Sequence, residues 1–355
     1  LALVACGHSP DIVQSVVCWP AVADHLTSHP DIAHITFIGS RPVAHHVCAS
    51  AAKSLTPVCV ELGGKDPAIV LDDLSNANFN RVASILMRGT FQSAGQNCIG
   101  IERVIVLPRI YDRLVAHLEP RIAALQPGSV LNASPDIPVD IGASISGANF
   151  DTLETLIQEA VSQGARLLVG GRRYIHPQYP KGHYFTPTLI VDVTPDMRIA
   201  QTELFAPVFL MMRATTLDHA IELANSSPYA LGASVYGHHS PSLERVVREV
   251  HAGMIAVNDF AVTYMVQLPF GGVKGSGYGR FAGKEGLRSI CNQKAITRDR
   301  WPGVKTAIPG PMDLPLGGKG KGAAERAWKM AMGIVWLGYG DLSGKIKGIK
   351  GLVGL

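Results

Sequence analysis

The six cysteines, at positions 6, 18, 48, 59, 98 and 291, include no C-x-x-C pair, and no histidines stand with them at metal-ligand spacing. This argues against a zinc site or a disulfide framework and for reduced thiols in a cytosol-like compartment. Charge of one sign is also scarce. The formal net charge of +4 is too small to argue for nucleic acid. It is also unevenly placed: residues 301–355 hold eight Lys/Arg against three Asp/Glu, leaving the rest near neutral. The opening residues Leu1–Cys6 carry neither an initiator Met nor a basic n-region, so they do not read as a signal peptide. They read as the middle of a helix, as if the chain began inside a domain. Internal repeats are absent. What is present is an ordinary globular balance, 47% hydrophobic and 17% charged over 355 residues, enough for two domains and a large core.

Strand patterns alternate with helical ones. Asp11–Val17 is β-rich after the turn signal Ser9-Pro10, and Ala21–Thr27 reads as a short helix. Ala33–Ile38 reads as a strand ending at Gly39-Ser40. Pro42 then opens a helix running to about Ser54, and Val58–Leu62 is a further strand. Such alternation predicts a parallel α/β sheet. Gly39-Ser40 lies between a strand and a helix N-terminus, where phosphates are commonly bound. Downstream, Ala68–Leu71, Arg103–Leu107, Arg166–Val169, Tyr184–Val191, Leu231–Tyr236 and Met254–Asn258 read as extended. Phe79–Phe91, Ile110–Ala124, Asp151–Gln163, Leu217–Asn225 and Pro241–His251 read as helices.

Two stretches carry the chemistry. In Phe91-Gln-Ser-Ala-Gly-Gln-Asn-Cys98-Ile-Gly100 a thiol is displayed in a short loop between two glycines, after a helix and before a strand. A lone cysteine is more often a core residue, but the glycines with polar Gln96 and Asn97 oppose that here. The second stretch, Val60-Glu61-Leu62-Gly63-Gly64-Lys65-Asp66-Pro67, ends a strand on a carboxylate. Together they resemble the active-site cysteine and glutamate signatures of the aldehyde dehydrogenase superfamily. Two further runs agree. Glu203-Leu204-Phe205-Ala206-Pro207-Val208 is similar to the family's E-x-F-G-P-V, with Ala206 in place of glycine. Pro269–Arg280 is similar to its P-F-G-G-x-K-x-S-G-x-G-R. The resemblance covers about residues 10–300. The His-rich Ser28–Val47 stretch and the basic, Gly-rich tail resemble the fungal branch named for meiotic sister-chromatid recombination.

The resemblance implies an α/β catalytic domain with the remnant of a Rossmann-type cofactor domain. Residues 1–61 would close the NAD(P)-binding domain, 62–285 would form the catalytic domain, 286–300 would add a strand to a partner subunit, and 301–355 would be a linker and tail. It implies NAD(P)-dependent oxidation of an aldehyde. Cys98 would be the nucleophile and Glu61 the base. Gly39, Ser40, Leu62, Gly63, Glu203 and Phe205 would meet NAD or NADP, Glu203 through the nicotinamide ribose and Phe205 along the nicotinamide. Ala44 stands where a second pyrophosphate-loop glycine is usual. The Cys98 N–H would supply half of an oxyanion hole, and Asn258 and Phe270 would border the substrate entrance. The asparagine that completes the hole, and the Lys and Glu that meet the adenosine ribose, have no counterpart. Since each βαβ unit takes about 30 residues, residues 1–61 hold only the last strands of a cofactor sheet. The chain then reads as a fragment or as a degenerate member, and a non-catalytic scaffold keeping the fold is the alternative function. A homo-oligomer follows from the strand expected at Ser289–Thr297.

The tail lies outside the resemblance. Trp301–Gly322 is rich in Pro and Gly and reads as a linker. Beyond it, Ala327, Trp328, Ala331, Val335 and Gly338 share a helical face, and Ile346, Ile349, Leu352 and Val353 form a second patch among Lys345, Lys347 and Lys350. The uncharged run between Lys329 and Asp341 is 11 residues, short of the roughly 20 needed to span a bilayer. Residues 322–355 therefore read as a peripheral contact to a cytosol-facing membrane such as the endoplasmic reticulum. The alternatives are a helix packed on the body of the protein or a disordered tail.

Overall fold

The computed structural model describes residues 2–129, 131, 138–260, 262–298, 303 and 307–353. They fall into two compact units, Leu1–Asn292 and Gln293–Leu355. By packing, the break thus comes before the residue-300 boundary that motif and composition suggest.

Among the described residues twelve strands run in chain order: β1 Ile35–Ile38, β2 Val58–Glu61, β3 Asp66–Val70, β4 Ile101–Val106, β5 Arg166–Val169, β6 Arg173–Tyr174, β7 Tyr184–Phe185, β8 Thr188–Val191, β9 Val208–Arg213, β10 Gly232–Tyr236, β11 Met254–Val257 and β12 Gly277–Tyr278. The helices are α1 Ala2–Ala5, α2 Pro20–Thr27, α3 Arg41–Ala51, α4 Asn76–Phe91, α5 Pro108–Ala123, α6 Phe150–Ser162, α7 Arg198–Gln201, α8 Leu217–Asn225, α9 Ser240–Glu249, α10 Gly283–Ser289, α11 Ala323–Tyr339 and α12 Leu342–Val353.

A seven-stranded sheet in the order β11-β10-β3-β4-β9-β8-β5 forms the body of the first unit. Its strands are parallel except for β5, which runs antiparallel to β8. The period-two alternation of side chains divides the core between the two faces of this sheet. Ile69, Ile105, Leu210, Met212 and Val235 pack with Leu153, Ile157, Ala220, Ile221 and Val246 from α6, α8 and α9. Ala68, Val70, Val104, Val106 and Met211 pack with Val82, Leu86, Leu114 and Leu118 from α4 and α5. Burial on both faces explains why β3, β4 and β9 are rich in apolar residues.

A second sheet has three strands in the order β1-β2-β12, with β1 and β2 parallel and β12 antiparallel to β2. This is the small α/β remnant the sequence implies, with α3 crossing between β1 and β2. Two segments expected to be extended are not in strands within this single chain. Asp11–Val17 holds only a short turn of 3-10 helix at Pro10–Ile12, and its side chains are exposed. In the Ser289–Thr297 segment, α10 ends at Ser289 and no strand follows. A strand needs a neighbour for its backbone groups, and an isolated one is not stable in water.

Candidate active site

The cleft lies where the two sheets of the first unit meet. The carboxyl ends of β1 and β2 contribute Ile38, Gly39, Ser40, Glu61 and Gly63. The loops leading into β4 and β9 contribute Cys98, Glu203, Leu204 and Phe205. Asn149 completes the lining of a space of about 370 Å³. Seven of the eight residues singled out from the sequence therefore share one cleft. The exception is Leu62, which is not part of the lining. Its N–H donates to the Ser276 carbonyl at 3.0 Å.

Glu61 is held at the end of β2 by pairing on both sides, with Ile38 of β1 and Gly277 of β12. Its side chain is almost wholly buried and its Oε1 has no hydrogen-bond partner. Burial pushes the carboxyl above its ordinary pKa, opposed by hydrogen bonds from the Cys98 thiol and the Gly63 amide. The same environment acts on Cys98. Burial, then the Glu61 charge and the hydrogen bond to Glu61, then the charge of Asp66, raise the thiol to about 12. Cys98 is thus a thiol at rest.

The Cys98 loop owes its shape to a short 3-10 segment, Gln92–Gly95, in which Ser93 and Ala94 adopt left-handed backbone angles. Gly95 follows at φ +74, and a Cβ there would fall 2.1 Å from the Ala206 carbonyl oxygen. The two motif loops therefore lie backbone against backbone. Ala206 itself is buried and has no positive φ; the left-handed residue in its motif is Phe205, at φ +51. Alanine in place of glycine at 206 is accommodated for that reason. Ala44 is likewise buried within α3.

Glu203 reaches back to the β2 side. Its Oε1 accepts the Gly64 N–H at 3.1 Å. Burial, with the Glu102 charge next, raises its pKa to about 8. Glu102, which sequence reading did not single out, fixes this loop from below. It accepts the N–H groups of Leu204 and Phe205 at 2.9–3.0 Å and pairs with the buried Lys65 ammonium at 2.6 Å. Lys65 is therefore structural. Arg103, also buried, donates to the Lys65, Leu223 and Ala224 carbonyls at 2.7–2.8 Å, closing the C-terminus of α8. Among the described residues neither oxygen of the buried Asp66 has a hydrogen-bond partner, and burial raises its carboxyl well above its ordinary value.

Two residues expected at the substrate entrance lie outside this lining, although Cys98 packs against the apolar cluster that holds Phe270. Asn258 clamps Gly237 through both side-chain atoms, at 2.9 and 3.0 Å, and Phe270 is buried between Tyr264 and Phe281. Neither lines the cleft. Arg41 lies over the Tyr229 ring, 5.6 Å from its centroid. Asn149 was not anticipated; the only signal was its position just before an amphipathic helix. Its side chain makes no capping bond to α6.

The lining suits the nicotinamide half of a dinucleotide. Ser40 stands at the N-cap of α3 with a hydroxyl that makes no capping bond, next to helix-end N–H groups that favour phosphate. Gly63 lets the chain pass close to Glu203, and the Glu203 carboxyl faces the cleft.

A model of the aldehyde dehydrogenase family matches residues 2–296. The chain is 52% identical over 338 residues to an aldehyde dehydrogenase-like protein of Schizosaccharomyces pombe, covering 95% of this chain and 62% of that protein. It is 52% identical over 340 residues to a similar protein of Saccharomyces cerevisiae, covering 94% and 51%. Both relatives are fungal. The chain thus spans between half and two thirds of the length of these relatives. Among solved structures it is similar to a betaine aldehyde dehydrogenase from Staphylococcus aureus in complex with NAD+, with a TM-score of 0.70 at 32% identity, covering 76% of this chain and 52% of that one. With the cysteine and glutamate motifs folded into one cleft on this α/β scaffold, the chain belongs to the aldehyde dehydrogenase family.

Proposed function

We propose that the protein oxidises an aldehyde to a carboxylic acid with NAD or NADP, with Cys98 as nucleophile and Glu61 as base. The observation that carries this reading is that Cys98 and the buried Glu61 line one cleft with Gly39, Ser40, Glu203 and Phe205. An aldehyde loses hydride reluctantly, because the product would be acylium-like. Adding a thiolate first gives a tetrahedral thiohemiacetal, which releases hydride readily. Glu61 takes the thiol proton as the Cys98 sulfur bonds to the carbonyl carbon. The Cys98 N–H faces the oxygen on which negative charge grows. The cofactor, when bound, accepts the hydride. Glu61 then releases the thiol proton to solvent. The thioester left on Cys98 is attacked by a water that gives its proton to Glu61, and the tetrahedral adduct collapses, expelling the Cys98 sulfur, which takes the proton back from Glu61 as the acid leaves. Glu203 accepts ribose hydroxyls, Ser40 and Gly39 meet phosphate, and Phe205 lies along the nicotinamide.

On the same reading residues 1–61 belong to a cofactor domain and 62–285 to a catalytic one, the protein faces the cytosol, and 286–300 joins a neighbour's sheet in a homo-oligomer. Incubation with aldehydes and NAD or NADP should yield absorbance of reduced cofactor that disappears in Cys98→Ser. Equal rates in the variant would remove the assignment. A non-catalytic reading draws on Ala44 and Ala206, which stand where the family's motifs usually carry glycine. Calorimetric binding of a partner protein with no heat from NAD or NADP would favour it.

A further inference from the structure

We propose that the α11–α12 hairpin of the second unit is a docking face for an anionic lipid bilayer. This inference is independent of the catalytic reading. It starts from what holds the two helices together. Gly333, Gly344 and Gly348 are buried. A Cβ on Gly348 would stand 2.8 Å from the Gly333 carbonyl oxygen, and one on Gly333 would stand 2.9 Å from Leu352 Cγ. The helices therefore approach at backbone distance, and small residues fill much of the seam. Leu352 turns into this seam, not outward with Ile346 and Ile349 as its spacing suggested.

Trp336 and Leu337 likewise pack over Gly344 and Gly348, while a second set of large apolar side chains is exposed. On α11, Trp328, Val335 and Tyr339 recur at helical spacing, and on α12 Leu342, Ile346 and Ile349 do the same. All six are exposed, Tyr339 at 91% and Leu342 at 79%. A hairpin that hides its glycines and presents its tryptophan, tyrosine and isoleucines is inside-out for water.

Charge decides what covers this face. On α12, Lys345 and Lys350 flank the Leu342–Ile346–Ile349 stripe on opposite sides, and the Lys347 ammonium lies 5.2 Å from the Trp336 ring centroid. Among the described residues none of the three lysines makes an ion pair. The two acidic residues nearby are already engaged. Glu325 pairs with Lys329 at 2.8 Å, and Asp341 caps α12 by accepting the Gly344 N–H at 2.8 Å and the Ser343 hydroxyl at 3.0 Å. An apolar stripe edged by free ammonium groups, with tryptophan and tyrosine beside it, matches the boundary between acyl chains and anionic headgroups. Lysine stems can lie along the apolar surface while their heads stay among the phosphates. Among the described residues no helix is long and apolar enough to cross a membrane, so the hairpin lies in the interface plane.

Flotation of the purified protein with vesicles tests this. Binding is expected to vesicles of phosphatidylcholine mixed with phosphatidylserine, to weaken as salt rises, and to be much lower on phosphatidylcholine alone. Each lysine near an anionic surface contributes roughly a fivefold gain in partitioning. The triple variant Lys345→Gln, Lys347→Gln, Lys350→Gln should therefore bind about a hundredfold less tightly. These side chains are exposed, and an unchanged circular dichroism spectrum would show that the helices remain. Trp328→Ser with Ile346→Ser should abolish flotation at any salt. Absence of flotation, equal binding to neutral and anionic vesicles, or binding unmoved by the triple variant would overturn the proposal. So would lipid-free self-association that depends on Trp328 and Ile346 in a protein that does not float, since a second copy would then be the occupant.

Discussion

Gly63 and Glu203 are in contact in a way that leaves no room for a methyl group: a Cβ on Gly63 would sit 2.1 Å from the Glu203 Oε1. Gly63 also has φ +72, a conformation that side chains disfavour. Gly63→Ala should displace the Glu203 carboxyl, break its bond from the Gly64 N–H and cost about 1–2 kcal/mol in backbone strain alone. Denaturant unfolding checks the stability loss. Calorimetry with NAD or NADP should show weaker binding, and unchanged affinity would mean that Glu203 does not meet the cofactor.

The raised pKa of Glu203, about 8, has a defined pH consequence. Ribose hydroxyls donate best to the ionised carboxylate, so binding should favour that form and release a proton. Affinity for the dinucleotide should therefore rise from pH 6 to about pH 8 and level off above it, by up to tenfold per pH unit. Stability has the opposite sign. The folded carboxyl stays protonated where the unfolded one ionises, so Glu203 lowers stability as pH rises from about 4.5 towards about 8. Glu203→Gln should flatten both profiles. A wild-type binding curve without pH dependence would contradict the assignment.

Cys98 offers a direct probe of its coupling to Glu61. Its thiol is raised first by burial and next by the Glu61 charge. Glu61→Gln removes that charge, so thiolate absorbance, taken as the difference from Cys98→Ser, should appear at lower pH. It should remain above the ordinary range, because burial persists. Turnover in the same variant should fall by about a hundredfold or more, as expected for loss of a general base. A thiol titration unaffected by Glu61→Gln would separate the two groups.

The buried Lys65–Glu102 pair should matter to folding more than to chemistry. Lys65→Met leaves Glu102 without its cation and should cost about 3–5 kcal/mol, the usual penalty for an orphaned buried charge. The double variant with Glu102→Gln should recover part of that loss, although Gln cannot accept from Leu204 and Phe205 as fully as the carboxylate does. Urea unfolding of the two single variants and the double variant measures the coupling. A null result for Lys65→Met would mean that the N–H groups of residues 204 and 205 suffice for Glu102.

The sequence by itself determined the local elements and the chemistry they carry. Glu61, Cys98 and Glu203 stand in motifs whose meaning lies in a few adjacent residues, and β3 and β4 declare themselves through the apolar runs Ala68–Val70 and Val104–Val106, buried on both faces. The strand β9 was not read from the sequence. The two tail helices were legible for a similar reason, since their stripes repeat at helical spacing. Tertiary structure decided what depends on distant partners. Nothing near Glu102 in the chain shows that it anchors residues 204 and 205, about a hundred positions away. Nor could local pattern show that Asp66 would be buried without a hydrogen bond among the described residues, or that Leu352 would pack inward against Gly333. Asp11–Val17 has strand composition but no strand beside it, and hydrogen bonding between strands is a property of pairs that one segment cannot specify.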